Sequence, residues 1–335
     1  MAKLDFRPAL KLLSGQRTVV VCGHVNPDGD SVGSVLALTY LLRKLGYEVT
    51  PLLATRDRPR VFDFLEGYED LTPACEYEGK PDVFVSVDVP AIQRTGDGAR
   101  VFERAKKSIA IDHHQGDGGF ADVALVDDGA AAAGVLVWDF AAQAGIERDA
   151  ALATCCYTAL VTDTGRFQFQ NADAATLQAA SEMAAAGAVP ADIALNVYQR
   201  ETMASLKLRA RALERMKFAC EGRAVISYVT EEDFSELGAL PEDGETLIDA
   251  VRELGDVDVV VMLREQGPVI RGSLRAKTDF DVSKVAVELG GGGHAAAAGF
   301  TVKEEFCEAK KHVLKLLSEA LDAAGKKAPE GGAGR

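Results

Sequence analysis

The residues with the clearest chemical potential lie near the start of the chain, in the segment Cys22-Gly-His-Val-Asn-Pro-Asp-Gly-Asp-Ser31. This segment places His24, Asp28 and Asp30 between an apolar β-branched run and a helix-like pattern, which is the usual ligand-binding edge of an open α/β sheet. Two carboxylates crowded beside an imidazole repel each other unless a cation neutralises them, so the spacing indicates a metal site. Taken alone, the segment also fits an Asn-Pro-Asp-Gly turn whose acids face water.

Acidic and imidazole side chains also follow two later strand-like runs. Asp88 ends one apolar run, and Asp112 ends another, with His113 and His114 directly after it. A polar turn after a predicted helix adds Asp163. Because the carboxyl ends of parallel strands meet at one edge of a sheet, we expect these side chains to lie close together. A single histidine at a strand end is more often a structural group, so the prediction depends on their joint occurrence.

Seven side chains of two chemical types form the predicted cluster: His24, Asp28, Asp30, Asp88, His113, His114 and Asp163. Carboxylates and imidazoles without thiolates favour manganese or magnesium over structural zinc. So many oxygen and nitrogen ligands suit two ions roughly 3.5–4 Å apart with a carboxylate between them. Such a pair suits hydrolysis at phosphorus, so the sequence predicts hydrolysis of a phosphoester or phosphoanhydride.

A second candidate site is the glycine run that begins at Gly290 and ends at His294. Four consecutive glycines leave backbone N–H groups unshielded, which suits close approach of a phosphate or carboxylate. The alternative is a flexible loop with no ligand.

Composition limits the class of protein. The chain has 335 residues, 47% hydrophobic and 26% charged, which is typical of a globular protein with two domains. A formal net charge of −14 disfavours a grip on long duplex nucleic acid, but metals would allow a small anionic substrate. No apolar run approaches the length of a membrane span, the first residues lack a signal-peptide pattern, and the six cysteines contain no C-x-x-C pair. We expect a cytoplasmic protein with reduced thiols.

The order of apolar runs predicts an α/β chain with a parallel sheet and helices on both faces, followed by a smaller α/β unit. We predict strands at 18–22, 48–54, 82–88 and 107–112, helices over 31–45, 128–144 and 149–161, and a short Phe-Gln-Phe strand at 167–169. The predicted divisions are a first domain at 1–195, a helical connector at 196–220, a second domain at 221–325 and a disordered tail at 326–335.

These motifs together resemble the DHH phosphoesterase family, named for the motif that stands here as Asp112-His113-His114. Its four N-terminal motifs occur in order as G-H-V-N-P-D-G-D-S, V-S-V-D-V-P, I-D-H-H and V-T-D-T-G-R-F, and the glycine run with its histidine is similar to the DHH-associated C-terminal domain. The resemblance covers about residues 10 to 320. Within the family, the layout is most similar to the NrnA-type oligoribonuclease and pAp-phosphatase branch.

The resemblance also implies roles for individual residues. Six side chains would hold two metals: His24 and Asp28 the first, Asp30, His113 and Asp163 the second, with Asp88 as the bridge. His114 would contact the scissile phosphate, and Asp112 would orient a histidine ring. In the second domain, five residues would bind the terminal phosphate of the substrate: Arg275, His294 and, through their backbone N–H groups, Gly291, Gly292 and Gly293.

The activity implied by the resemblance is that of a manganese-dependent hydrolase. It would remove mononucleotides from very short RNAs and dephosphorylate 3′-phosphoadenosine 5′-phosphate, with substrate length set by a cleft between the domains. The resemblance further implies a homodimer through the first domain. Three alternatives remain open: a phosphodiesterase of cyclic or linear dinucleotides, an inorganic pyrophosphatase and a non-enzymatic nucleotide sensor. The glycine–histidine segment argues against the pyrophosphatase, and the intact ligand set argues against the sensor.

Overall fold

The computed structural model describes residues 4–293 and 295–325. The chain divides into two compact units at the boundary between Arg200 and Glu201. Two predictions lie outside the described residues: the phosphate ligand His294 and the disordered tail at 326–335. Each unit is described by itself.

The first unit alternates strands and helices along most of its length. Its strands are β1 (Thr18–Cys22), β2 (Glu48–Leu53), β3 (Thr72–Pro73), β4 (Val83–Val87), β5 (Lys107–Asp112) and β6 (Val123–Val126). Its helices are α1 (Arg7–Leu13), α2 (Gly29–Lys44), α3 (Gly98–Phe102), α4 (Ala133–Gln143), α5 (Ala150–Asp163), α6 (Ala174–Ala185) and α7 (Pro190–Tyr198).

The six strands of this unit form one sheet in the order β3-β2-β1-β4-β5-β6, and each neighbouring pair is parallel. The chain leaves β1 toward β2 on one side and later returns beside β1 as β4, so the direction of winding reverses between β1 and β4. In open α/β sheets, ligands bind outside the carboxyl ends of the strands at this reversal. The residues that follow β1 and β4 therefore occupy the position where a site is expected.

Both faces of the sheet are buried, and the alternation of side chains along β1 shows how. Val19 and Val21 join a core with the buried faces of α2, α4 and α5, whereas Val20 and Cys22 face a smaller core that includes Val101 of α3. Strands buried on both faces read as continuous apolar runs, which is why β1, β4 and β5 were predictable. The predicted parallel sheet with helices on both faces is confirmed.

The helices on the larger face approach one another through small residues. A Cβ atom at Gly33 of α2 would lie 2.6 Å from the Cys155 carbonyl oxygen, and one at Gly134 of α4 would lie 2.4 Å from the Ala159 Cβ. Larger side chains at these positions would force α2 and α4 away from α5. The alanine-rich composition of this region therefore serves close helix packing.

Two predicted elements differ from the structure. The helix predicted at 128–144 begins at Ala133, because a carboxylate from α2 accepts the first N–H groups of α4 (described below). The segment 167–169, predicted as a short strand, is a turn, and Phe167 has a positive φ of 61°. Sequence reasoning also missed β3 and β6 at the two edges of the sheet, where short strands carry little periodic signal.

The second unit is a smaller α/β unit. Its strands are β7 (Lys217–Ala219), β8 (Ala224–Val229), β9 (Val259–Gln266), β10 (Val269–Ala276), β11 (Gly292–Gly293) and β12 (Ala297–Val302). Its helices are α8 (Met203–Glu214), α9 (Glu231–Leu237), α10 (Leu247–Arg252), α11 (Ser283–Glu288) and α12 (Phe306–Ala323).

The second sheet has the order β11-β12-β10-β9-β8-β7, with β8 and β9 parallel and the remaining pairs antiparallel. One face packs against the apolar stripe of α12, whose buried residues Ala309, Val313, Leu317 and Leu321 recur every four positions. The other face packs against α8 and α10. The predicted smaller α/β domain is confirmed. Among the described helices, none has both the length and the apolar character required to cross a membrane.

A buried carboxylate, Asp233, ties α9 to α8. It closes a capping box with Thr230, whose backbone N–H donates to Asp233 Oδ2 at 2.7 Å, and it accepts from Arg211 at 2.6 Å and from Arg215 at 2.8 Å. Burial alone would raise the pKa of Asp233, but the hydrogen bonds from Arg215 and Thr230 lower it to about 2.

We expect Asp233→Asn to lower the free energy of unfolding at pH 7 by about 3 kcal/mol, because it leaves two arginines without their buried carboxylate. A carboxyl group whose pKa is lower in the folded state stabilises the fold above its unfolded pKa, near 4. This contribution is lost as the pH falls toward 2, so the difference between wild type and variant should shrink over that interval. Urea unfolding at several pH values measures it, with Asp322→Asn, an exposed site on α12, as the control. An equal loss at pH 7 and at pH 2 would contradict the assignment.

Candidate metal centre

The loop between β1 and α2 is held by hydrogen bonds among its own residues. Asp28 is the N-cap of α2, and its Oδ1 accepts from the Ser31 backbone N–H at 3.0 Å. The Ser31 hydroxyl in turn accepts from the His24 backbone N–H at 3.2 Å. A capping motif and the chain reversal at the sheet edge therefore bring His24 and Asp28 together.

The ring of His24 is oriented by a hydrogen bond on the side that faces away from the carboxylates. Its Nδ1 lies 2.7 Å from the Val25 carbonyl oxygen, which requires a proton on Nδ1. Its Nε2 lies 3.2 Å from Asp88 Oδ2 and 3.6 Å from Asp28 Oδ1. The Nε2 atom and two carboxylate oxygens thus face one small volume.

Asp88 stands directly after β4 with its backbone in the left-handed region, at a φ of 61°. Its backbone N–H donates to the Ile111 carbonyl oxygen at 3.0 Å, which continues the pairing of β4 with β5. Its two carboxylate oxygens point to different histidines, Oδ2 toward His24 at 3.2 Å and Oδ1 toward His113 at 3.4 Å. A backbone conformation that costs about 1–3 kcal/mol therefore places one buried carboxylate between two imidazoles.

His113 defines the second volume. Its Nδ1 lies 3.2 Å from the Ala130 carbonyl oxygen, so its Nε2 is the atom that faces the acids. That Nε2 lies 3.4 Å from Asp30 Oδ2 and 3.9 Å from Asp163 Oδ2, in addition to its contact with Asp88. Asp163 is the last residue of α5, so strands and helices contribute jointly to this volume.

Asp30 is buried and has a second task. Its Oδ2 accepts from the Ala133 backbone N–H at 2.7 Å, and its Oδ1 accepts from the Gly134 backbone N–H at 3.0 Å and from the Ser34 hydroxyl at 2.8 Å. These two N–H groups belong to the first turn of α4, which has no side-chain cap of its own. Asp30 therefore caps α4 from α2 while its Oδ2 also faces His113.

Asp112 and His114 lie beside these two volumes. Asp112 Oδ1 accepts from the His113 backbone N–H at 2.9 Å and from His114 Nδ1 at 2.8 Å. His114 Nδ1 also lies 3.6 Å from Asp88 Oδ1. Because Asp112 engages Nδ1, the His114 ring is fixed in orientation with its Nε2 on the far side.

The electrostatics of the cluster show a deficit of positive charge. Burial alone would lower the pKa of both histidines, yet the surrounding carboxylates raise it to about 11 for His24 and to about 10 for His113. Burial and neighbouring carboxylates raise the pKa of Asp163 to about 6 and that of Asp30 well above its usual range. These closely spaced groups retain protons in the absence of a cation. A bound cation would displace those protons.

The side chains fit a pair of divalent ions. Two groups have ligand atoms within 4.8 Å of one another: His24 with Asp28 and Asp88, and Asp30 with His113 and Asp163. A third group of this kind consists of Asp88, His113 and His114. The donors are carboxylate oxygens and imidazole nitrogens without thiolates, which suits manganese or magnesium. All seven predicted side chains are therefore brought together.

The predicted phosphate-binding residues lie in the second unit. Arg275 is half-buried on β10, where burial lowers its pKa, and its Nη1 donates to the Leu274 carbonyl oxygen at 3.1 Å. Gly292 and Gly293 form β11, and a Cβ atom at Gly293 would lie 2.6 Å from the Ala297 carbonyl oxygen. The Gly291 N–H donates to the Ala286 carbonyl oxygen at 2.8 Å, so a ligand would have to compete for it. Close backbone packing accounts for part of this glycine run.

Comparisons with known proteins agree with this geometry. Residues 18–160 match the DHH family, N-terminal domain, and residues 221–323 match the DHHA1 domain. A relative from Thermus thermophilus, the bifunctional oligoribonuclease and PAP phosphatase NrnA, is 30% identical over 319 residues, which cover 94% of this chain and 93% of that protein. The chain belongs to the DHH family.

Two further similarities extend over most of this DHH chain. The bifunctional oligoribonuclease and PAP phosphatase NrnA of Bacillus subtilis is 24% identical, over 88% of this chain and 92% of that protein. The crystal structure of an exopolyphosphatase-related protein from Bacteroides fragilis superposes with a TM-score of 0.89 at 23% identity, covering 96% of this chain and 98% of that one. The structural likeness shows that this chain shares the fold of that protein.

Sequence reasoning missed residues that position two of the candidate metal ligands, Asp163 and His113. The Asn171 side-chain amide donates to the Ala131 carbonyl oxygen at 3.1 Å and to the Asp163 carbonyl oxygen at 3.3 Å, which joins the end of α5 to the segment before α4. The Ala130 carbonyl oxygen sets the orientation of His113. No spacing rule points to either residue, since both act through long-range or backbone contacts.

Proposed function

We propose that this chain is a two-metal phosphoesterase that degrades very short RNA oligonucleotides to mononucleotides and dephosphorylates 3′-phosphoadenosine 5′-phosphate. The observation that carries the proposal is the shared carboxylate of Asp88, whose two oxygens face two separate ligand groups 3.2 and 3.4 Å away. The names of the similar proteins from Thermus thermophilus and Bacillus subtilis support the choice of substrates.

The proposed ligands of the first ion are His24, Asp28 and Asp88, and those of the second are Asp30, His113, Asp163 and Asp88. When bound, two divalent ions of this kind activate a water and neutralise charge on the entering and leaving oxygens at phosphorus. Manganese is the proposed metal because mixed carboxylate and imidazole ligands suit it better than they suit calcium.

His114 and Asp112 provide the orientation that the reaction needs. Asp112 accepts a hydrogen bond from His114 Nδ1 at 2.8 Å, and the protonated ring would donate from Nε2 to the scissile phosphate. Holding the ring in one orientation before substrate arrives avoids reorganisation during the reaction. In this proposal His114 contacts the substrate, and Asp112 is a positioning residue.

The second unit is proposed to bind the terminal phosphate. Arg275 is half-buried, and its guanidinium offers the planar donor geometry that matches phosphate oxygens. The glycine backbone at Gly292 and Gly293 and the imidazole of His294 complete the proposed phosphate site. The proposed division of labour is a DHH domain at 1–195, a connector at 196–220 and a substrate-binding domain at 221–325. We also propose that the protein acts in the cytoplasm as a homodimer.

The experiment that tests the function is hydrolysis of 5′-phosphorylated RNA of two and of twenty nucleotides, with 3′-phosphoadenosine 5′-phosphate, cyclic di-AMP and pyrophosphate in parallel. With manganese present, we expect turnover of the dinucleotide and the bisphosphate to exceed that of the 20-mer by at least about tenfold, since one grip on a terminal phosphate sets the length. Equal turnover of both RNA lengths would count against the proposal. Faster turnover of cyclic di-AMP or pyrophosphate would replace it with the corresponding alternative.

A further inference from the structure

The turn that follows Asp163 holds three successive residues in the left-handed region: Gly165 at a φ of 54°, Arg166 at 62° and Phe167 at 61°. Non-glycine residues adopt this conformation at a cost of about 1–3 kcal/mol each, and it persists only where the surroundings enforce it. Strain of this kind immediately after a candidate metal ligand marks the turn as a part of the site with a task of its own.

Hydrogen bonds from the end of α5 enforce the turn. The Arg166 backbone N–H donates to the Val161 carbonyl oxygen at 2.8 Å, and the Phe167 backbone N–H donates to the Thr164 hydroxyl at 3.2 Å. A side chain at Gly165 has no room, because a Cβ atom there would lie 2.3 Å from the Phe169 ring. These contacts fix the backbone from which the Arg166 side chain extends.

That side chain lies on an aromatic ring. The Arg166 guanidinium carbon is 4.6 Å from the centroid of Tyr198 on α7, and Arg166 is exposed. The Tyr198 hydroxyl donates to the Val161 carbonyl oxygen at 3.2 Å, the same atom that accepts from the Arg166 backbone. Both residues of the stack are therefore anchored two positions before Asp163 in the chain.

Arg166 contrasts with the arginines of its unit that pair with carboxylates. Among the described residues, seven arginines of this unit form such ion pairs: Arg7, Arg17, Arg43, Arg56, Arg58, Arg148 and Arg200. Across residues 4–293 and 295–325, no ion pair within 4.0 Å joins Arg166 to a carboxylate. One face of its guanidinium rests on a ring, which leaves the N–H edge for an anion. In a chain of net charge −14, an exposed guanidinium held in this way is suited to bind an anion.

We propose that Arg166 is a substrate-binding residue of the metal centre, whose guanidinium, held over Tyr198, donates hydrogen bonds to the phosphate group that is attacked. Three residues of backbone span at most about 10–11 Å, so the Arg166 Cα lies within that distance of the Asp163 Cα. The inference rests on the proposed function, since it names a further residue that holds the same phosphate.

The test compares wild type with Arg166→Ala, Arg166→Lys and Arg100→Ala, the last removing an exposed arginine from α3 on the opposite face of the sheet. On a 5′-phosphorylated RNA dinucleotide, we expect Arg166→Ala to lower kcat/KM by about 10- to 100-fold, the range of a charge-assisted hydrogen bond. The kcat/KM of Arg166→Lys should lie between those of Arg166→Ala and wild type, and that of Arg100→Ala should match wild type. Added guanidinium ion should restore part of the activity of Arg166→Ala and none to the wild type.

Tyr198 supplies a second arm. Tyr198→Leu removes the ring and should lower kcat/KM in the same direction as Arg166→Ala, whereas Tyr198→Phe keeps the stack and should remain within about threefold of wild type. The double variant Arg166→Ala/Tyr198→Leu should be no worse than Arg166→Ala alone, because the ring acts through the guanidinium.

Two binding measurements separate the outcomes. Manganese titration should give the same stoichiometry for Arg166→Ala and wild type, and a non-hydrolysable dinucleotide should bind Arg166→Ala at least about tenfold more weakly. If wild type is active and Arg166→Ala matches it in both dinucleotide affinity and kcat/KM, the role of Arg166 is overturned and the proposed function stays intact. Loss of manganese from Arg166→Ala would also overturn it, in favour of a structural role. A wild type that hydrolyses neither substrate would instead refute the proposed function.

Discussion

Replacing Asp88 by asparagine is expected to lower kcat on a 5′-phosphorylated RNA dinucleotide by at least about 10³-fold. Both oxygens of this carboxylate face histidine nitrogens, at 3.2 Å from His24 and 3.4 Å from His113. Asparagine offers one oxygen and an amide NH₂ that cannot ligate a cation, so it can serve one group at most. Titration calorimetry with manganese should accordingly show no more than one ion bound per variant chain.

This variant has a favourable design because asparagine tolerates the backbone at residue 88. The φ of 61° lies in the region that asparagine and aspartate enter more readily than other side chains, so the turn after β4 should be retained. Asp57→Asn, at an exposed position between β2 and β3, removes the same charge elsewhere in the unit and should leave kcat unchanged. A fully loaded Asp88→Asn variant with kcat within tenfold of wild type would exclude the shared carboxylate as the basis of activity.

The second large effect distinguishes the structural roles of Asp28 and Asp30, two carboxylates that are two residues apart. Asp30→Ala should abolish activity and also lower the free energy of unfolding by about 2–4 kcal/mol, since it leaves the Ala133 and Gly134 N–H groups and the Ser34 hydroxyl without their acceptor. Asp28→Ser should abolish activity at nearly unchanged stability, because a serine hydroxyl at the N-cap accepts from the Ser31 N–H as the carboxylate does.

Urea unfolding of the metal-free proteins measures the stability difference, and manganese-dependent hydrolysis measures activity. Using metal-free protein keeps the loss of a bound ion out of the stability comparison. Equal stability of the Asp30→Ala and Asp28→Ser variants would contradict the capping role of Asp30, whatever their activities.

The sequence predicts the candidate metal centre well where a local pattern indicates the positions of its ligands. Residues Asp88 and Asp112 come at the ends of strands that are buried on both faces, and such strands are visible as uninterrupted apolar runs. Parallel pairing then places their ends at one edge without further information. The fold class and the convergence of His24 with Asp88 both follow from this local signal and from the topology of open sheets.

The remainder depends on specific contacts that no periodic pattern in the sequence reveals. The start of α4 at Ala133 is set by Asp30, 103 residues earlier, and a capping rule applied to neighbours cannot find it. Likewise, the aromatic pattern at 167–169 favours a strand, but the hydrogen bond of Arg166 to Val161 and the crowding at Gly165 enforce a left-handed turn. A tertiary contact overrides local propensity at the first place, and specific contacts within the turn override it at the second.

The double occupation of Asp30 constrains how this chain can diverge. A descendant that abandoned hydrolysis could replace Asp28 by another N-cap residue, or lose Asp163, with little harm to its architecture, whereas loss of Asp30 would leave the first N–H groups of α4 without an acceptor. Inactive descendants should therefore keep this aspartate long after the other candidate metal ligands have been substituted. The presence of Asp30 in a sequence is consequently a poor indicator of catalysis, and the more exposed Asp28 and Asp163 are better indicators.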